Sequence, residues 1–185
     1  MRRYWIWLLC VWLLVGAACR SKEQKAVPTV QSSEIMRDYQ HADSLYQMGI
    51  IDTGAFNRFI RSAMALAEQD PQNERAPEML YKAGIGSMIL AKSAVTREET
   101  AYYAKQALKI FYDFQEIYPE DERARYCYYQ RGIIYDDILG DYTSAQDQYR
   151  DFVNRYPDDS LAVQLKDYLK ILGKTESQLE EMLDL

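Results

Sequence analysis

Sliding the chain against itself by 38 residues lays ALKIFYDFQEIYPEDERA over AQDQYRDFVNRYPDDSLA. Ala107/Ala145, Phe111/Tyr149, Asp113/Asp151, Phe114/Phe152, Tyr118/Tyr156, Pro119/Pro157, Asp121/Asp159 and Ala124/Ala162 coincide. A slide of 48 residues lays PQNERAPEMLYKAGI over PEDERARYCYYQRGI, matching Pro71, Glu74, Arg75, Ala76, Tyr81, Gly84 and Ile85 to Pro119, Glu122, Arg123, Ala124, Tyr129, Gly132 and Ile133. The second spacing is longer by ten, which puts the additional residues near Ala91 to Thr100. A chain that repeats at such spacings is built from supersecondary units, each burying its apolar face only by stacking on the next.

Each unit reads as two helices. Ala104, Ala107, Leu108, Phe111 and Phe114 keep the three- and four-residue spacing of one helix face, as do Tyr128, Gly132, Tyr135 and Leu139. Pro119 and Pro157 stop helices because proline lacks the amide proton and clashes with the preceding turn. Gly140-Asp141 marks a stop and restart, and Thr96-x-x-Glu99 and Thr175-x-x-Gln178 have the form of capping boxes. No stretch alternates as a half-buried strand does. The expected fold class is all-α, about seven or eight helices in antiparallel hairpins, over 33–48, 53–69, 74–91, 97–117, 121–139, 142–155, 159–172 and 176–184. The last pair is the most polar and would serve as a cap on the stack.

The amino terminus has a different character. Met1-Arg2-Arg3 is a basic start, Tyr4 to Val15 is almost wholly apolar, and Gly16-Ala17-Ala18 places small residues before Cys19. That is the layout of a secretory signal peptide over residues 1–18. The uncharged stretch from Tyr4 to Cys19 is 16 residues, short of the ~20 that a helix needs to cross the hydrocarbon core. Residues 19–32 have no aromatic side chain and no helical period, so they read as a flexible tether ahead of a helical domain over 33–185. Cleavage before Cys19 removes Arg2 and Arg3 and no acid, so 22 basic residues become 20 against 28 acidic, a net charge of −8. An acidic body repels phosphates, and no basic stripe offsets it, which argues against nucleic-acid binding.

Small residues directly before Cys19 resemble the lipobox of bacterial lipoproteins, although Gly16 stands where that pattern usually has Leu. The resemblance implies a covalent diacylglycerol on Cys19 and a membrane-anchored protein; Cys127 would then be the one free thiol, a buried small hydrophobe. The series Tyr128, Gly132, Tyr135, Gly140, Tyr142, Ala145, Tyr149, Pro157 resembles a tetratricopeptide repeat, at a period four residues longer than usual. The repeated Tyr-Pro-x-Asp…Ala joint is similar to the longer repeats of BamD/YfiO-type outer-membrane assembly lipoproteins and of YbgF/CpoB-like Tol-Pal partners. This resemblance covers Ser33 to Leu172 and implies a right-handed TPR-like solenoid. It also implies a protein-binding concave face comprising Tyr81, Ile85 and Met88 from one unit and Tyr129, Ile133 and Asp136 from the next, with Arg125 at the rim.

Groups that could do chemistry are sparse. His41 is the only histidine and reads as solvent-exposed, so neither a histidine-based metal site nor a Ser-His-Asp arrangement is expected. Asp136-Asp137 and Asp158-Asp159 are sequence neighbours whose side chains diverge on a helix. Gly84-Ile85-Gly86 lacks the lysine and the third glycine of a phosphate-cradling loop. The expectation is a non-catalytic scaffold in the cell envelope, with no cofactor beyond the lipid, an envelope protein partner and, by resemblance, an outer-membrane location. The alternative is a lipoprotein holding a small ligand or glycan in a groove between helices. The 16 tyrosines fit either reading, or simple packing between helices.

Overall fold

A computed structural model describes residues 32–183 of the chain. The expected signal peptide, Cys19 and the tether as far as residue 31 lie outside the described residues; Ser32, expected as the tether's last residue, opens α1. Among the described residues the structure is all helical: α1 (Ser32–Gln47), α2 (Thr53–Gln69), α3 (Ala76–Ser93), α4 (Arg97–Ile117), α5 (Tyr126–Ile133), α6 (Tyr142–Arg155), α7 (Ser160–Ile171) and α8 (Glu176–Leu183). No helix among them is long and apolar enough to cross a membrane. From α1 to α7 each helix packs on its neighbour in sequence, and α3 also meets α1.

Helix starts follow local chemistry. Asp52, Thr96 and Asp141 each accept a hydrogen bond from the backbone amide three residues on, at 2.8, 3.2 and 3.1 Å. Each satisfies an amide that the helix itself leaves unpaired. At the second expected capping box, Gln178 Oε1 accepts from the Thr175 amide at 2.9 Å.

The repeat joint is hydrogen-bonded in the same order three times. The amides of Asp70, Tyr118 and Tyr156 close α2, α4 and α6 on Leu66, Phe114 and Phe152 carbonyls. Three residues later, Asn73, Asp121 and Asp159 donate back to those closing residues, and their own carbonyls accept from Ala76, Ala124 and Ala162. All three alanines are buried. The Asn73, Asp121 and Asp159 side chains then accept the amides of Arg75, Arg123 and Leu161 at 3.1, 2.9 and 2.9 Å.

Asp121 also accepts two parallel bonds from one edge of the Arg123 guanidinium, Nε and Nη2, at 2.7 and 2.6 Å. These charge-assisted bonds hold its carboxyl below the ordinary value of 3.8. A carboxylate depressed in the folded state stabilises it above the unfolded pKa and loses that contribution as pH falls through the folded value. Asp121→Asn is expected to cost about 1.5 kcal/mol at neutral pH. The gap in urea midpoint between variant and wild type should close as the pH is taken below 3.8.

The structure departs from the sequence expectation between 121 and 139. In place of one helix there is a 3-10 turn over Glu122–Ala124, then α5, then a π-helical turn over Ile134–Ile138. In that turn the Leu139 amide reaches back five residues to Ile134 O at 3.0 Å, and the Asp141 amide six residues to Tyr135 O at 2.7 Å. The widened turn runs into Gly140 at φ 66°, which only glycine adopts readily. Wider turns of this kind carry no spacing rule that a sequence displays.

Two apolar clusters form the core. The larger joins α1 to α5 and the π turn through Ile35, Phe56, Phe59, Met79, Phe111, Phe114, Cys127 and Ile134; the smaller joins α6 and α7 through Ala145, Tyr149, Phe152, Ala162 and Leu165. Two glycines let consecutive layers close up. A Cβ on Gly84 would stand 2.6 Å from the Phe111 ring, and one on Gly132 would stand 2.1 Å from the Tyr149 ring. Gly84 and Gly132 correspond in the 48-residue slide, and Phe111 and Tyr149 in the 38-residue slide.

Candidate functional site

The π turn and α7 stand on either side of a cleft of about 330 Å³. Tyr129 and Ile133 of α5 and Asp136 and Asp137 of the π turn form one wall; Leu161, Gln164, Leu165 and Tyr168 of α7 form the other. Tyr149, rooted in α6 and 2% exposed, is the floor. Its ring lies 6.1 Å from that of Tyr129 and 5.9 Å, edge to face, from that of Tyr168, so three phenol rings run across the cleft.

Asp136 ties the walls together. Its Oδ2 accepts from the Tyr168 hydroxyl at 2.6 Å and lies 3.5 Å from the Tyr149 hydroxyl. Asp137, on the same wall, meets Lys92 Nζ at 3.2 Å. The pKa of both phenols is pushed up, by burial first and then by the negative charges of Asp136 and Asp137, so they stay protonated and can donate. A second cleft, of about 400 Å³, opens on the far side of the same Asp136–Tyr168 pair, toward Tyr142, Lys174 and Leu179.

The residues expected on one concave face divide into two groups. Tyr129, Ile133 and Asp136 do come together, in the cleft. Met88, expected as an exposed contact, is only 8% exposed and belongs to the larger core cluster. Tyr81 packs edge-on against Phe111 and Phe114 at 5.6 and 5.5 Å, and its hydroxyl accepts from Gln130 Nε2 at 3.2 Å. Ile85 is half-buried against the same cluster. The earlier unit is covered by the helix that follows it, as Gln130 of α5 illustrates at Tyr81. Arg125 sits at the α5–α7 joint, 3.5 Å from Asp159 and stacked at 4.7 Å on its neighbour Tyr126. His41 is exposed.

The sequence reading passed over Arg131, Gln164 and Tyr168. Tyr168 lies outside the matched stretches that carried the repeat, and nothing in its spacing ties it to Asp136, 32 residues away. Arg131 is 2% exposed, and no carboxylate among the described residues pairs with it. Its Nε donates to Gln148 Oε1 at 2.7 Å and its Nη1 to Gln115 Oε1, while Tyr112 and Tyr128 present ring faces at 4.0 and 4.8 Å.

Cys127 is fully buried, and burial pushes its thiol pKa up to about 12. The thiolate is the nucleophile, so this cysteine is inert in the folded protein. Iodoacetamide at pH 8 should leave the Cys127 peptide unmodified in native protein and alkylate it in urea. Native alkylation would show that α5 opens readily.

No protein-family model matches the chain, and comparison with curated proteins gives no match.

Proposed function

We propose that the chain is a lipid-anchored scaffold of the cell envelope, a TPR-like stack of helix hairpins that binds another protein and performs no chemistry of its own. The observation that carries this reading is the cleft at Asp136. Three helices and a π turn build it, polar groups stand over an aromatic floor, and it opens beside the last joint of the repeat. The thrice-repeated joint and the two glycine–ring contacts support a solenoid, because a solenoid needs the same close approach between successive layers. Anchoring rests on the Gly16-Ala17-Ala18-Cys19 sequence. An outer-membrane location rests on resemblance alone.

Two measurements test the reading. Metabolic lipid labelling with intact mass should place the label on Cys19, and Cys19→Ala should move the protein from the membrane to the soluble fraction. Wild type that is unlabelled and soluble overturns the anchor. Benzoylphenylalanine in place of Gln164, irradiated in envelopes, should capture one stoichiometric protein. No captured protein, together with a ligand-dependent rise in melting temperature, would instead favour a small molecule or glycan in the groove.

A further inference from the structure

We propose that the cleft between the π turn and α7 takes a cationic side chain, an arginine or lysine, from the partner protein, its charged head against Asp136 and its stem across the Tyr129, Tyr149 and Tyr168 rings. This rests on the scaffold reading above and names what that surface would recognise.

Charge complementarity carries the argument. The cleft walls include two carboxylates, and no basic side chain lines it among the described residues. Lys92 meets Asp137 in an exposed pair, each side chain about half open to water, and contacts of that kind neutralise little. Among the described residues Asp136 receives neutral donors alone, the hydroxyls of Tyr168 and Tyr149, and no cation pairs with it. Lys174 lies in the neighbouring cleft, where its Nζ is 2.7 Å from Met182 Sδ. Asp136 also stands at the carboxyl end of the continuous helix formed by α5 and the π turn, where the backbone dipole adds negative potential. Aromatic faces attract cations through their quadrupole, most strongly where water is partly excluded. An acidic partner side chain would meet repulsion from both carboxylates. A purely apolar one would leave Asp136 covered without a counter-charge.

The test uses full-length protein in detergent, with amide chemical shifts read during titration of N-acetyl-arginine amide. N-acetyl-citrulline amide, of the same shape and no charge, is the control. Arginine amide is expected to shift the Tyr129, Asp136 and Tyr168 signals saturably, with citrulline amide leaving them in place. Asp136→Asn keeps an acceptor for Tyr168, so the fold should survive, and it should weaken arginine binding by about fivefold or more. Equal shifts from citrulline amide, or unchanged affinity in Asp136→Asn, overturn the proposal. The benzoylphenylalanine capture at position 164, repeated in the Asp136→Asn background, separates the two levels. Capture that weakens supports the proposal, and capture unaffected by the substitution removes the cation while the scaffold stands. No captured protein despite arginine binding overturns the scaffold, and with it a protein as the source of the cation.

Discussion

Gly132→Ala should destabilise the protein by about 3 kcal/mol, at the upper end of what overpacking costs. Helix propensity alone points the other way, favouring alanine by about 1 kcal/mol in a helix interior. The geometry decides the sign. The new Cβ would stand 2.1 Å from Tyr149 Cε1, 2.5 Å from Cδ1 and 2.7 Å from Cζ, far inside any contact that real carbons make. The ring cannot shift without disturbing its neighbours. Tyr129 and Tyr168 flank it at 6.1 and 5.9 Å, and its hydroxyl faces Asp136. Urea unfolding of the single variant, of Tyr149→Leu and of the pair would measure the clash directly. The double variant should recover more than half of the loss, because leucine lacks the ring edge that the methyl strikes. Gly132→Ala as stable as wild type would mean that Tyr149 does not lie on the glycine. Since Tyr149 is also the floor of the Asp136 cleft, the candidate site would then need rebuilding.

Arg131→Ala should cost about 3 kcal/mol as well, by a different route. The guanidinium joins three helices: Nη1 reaches Gln115 Oε1 and Phe111 O in α4, and Nε reaches Gln148 Oε1 in α6. Burial lowers its pKa from the usual 12.5, yet the group has no carboxylate partner among the described residues. A buried cation without a counter-ion is tolerable here because guanidinium is weakly hydrated, planar and rich in donors. Its edges meet amide and backbone oxygens while its faces meet Tyr112 and Tyr128. Truncation removes all of that and leaves half-buried amide oxygens without their donors. Arg131→Met should cost less, about 1–2 kcal/mol, because it refills the volume and removes the desolvated charge. Arg131→Lys should fall between them, since an ammonium cannot serve both glutamines from one plane. Thermal or urea unfolding gives the order. Alanine no worse than methionine would show that the space collapses and that the guanidinium is no tie between helices.

Sequence legibility differed between elements and sites. Helices α2 and α4 have the bounds that spacing and caps led one to expect, 53–69 and 97–117. Their ends are set within one turn, by Asp52 and Thr96 at the start and by the residues before Pro71 and Pro119 at the finish. The stretch 121–139 was harder to read, because the π turn depends on how Asp141 and Gly140 connect to the next helix. At the candidate site, Tyr129, Ile133 and Asp136 were named from the resemblance to tetratricopeptide repeats, and the structure brings them to one cleft. The same resemblance named Tyr81, Ile85 and Met88, which pack in or against the larger core cluster instead.

Residue order alone made the described chain helical and set where most helices begin and end and where the repeated joint falls. Those outcomes rest on hydrogen bonds and dihedral preferences spanning no more than four or five residues, and residue order displays them. Packing between helices settled which tyrosines are floor, wall or seam, made Arg131 a buried tie, and closed Tyr168 on Asp136. Periodicity tells a helix that it has an apolar face but not what covers that face. Burial is settled by neighbours 16 to 49 residues away, as Arg131–Gln115 and Gln130–Tyr81 illustrate, and those meet only once the layers stack.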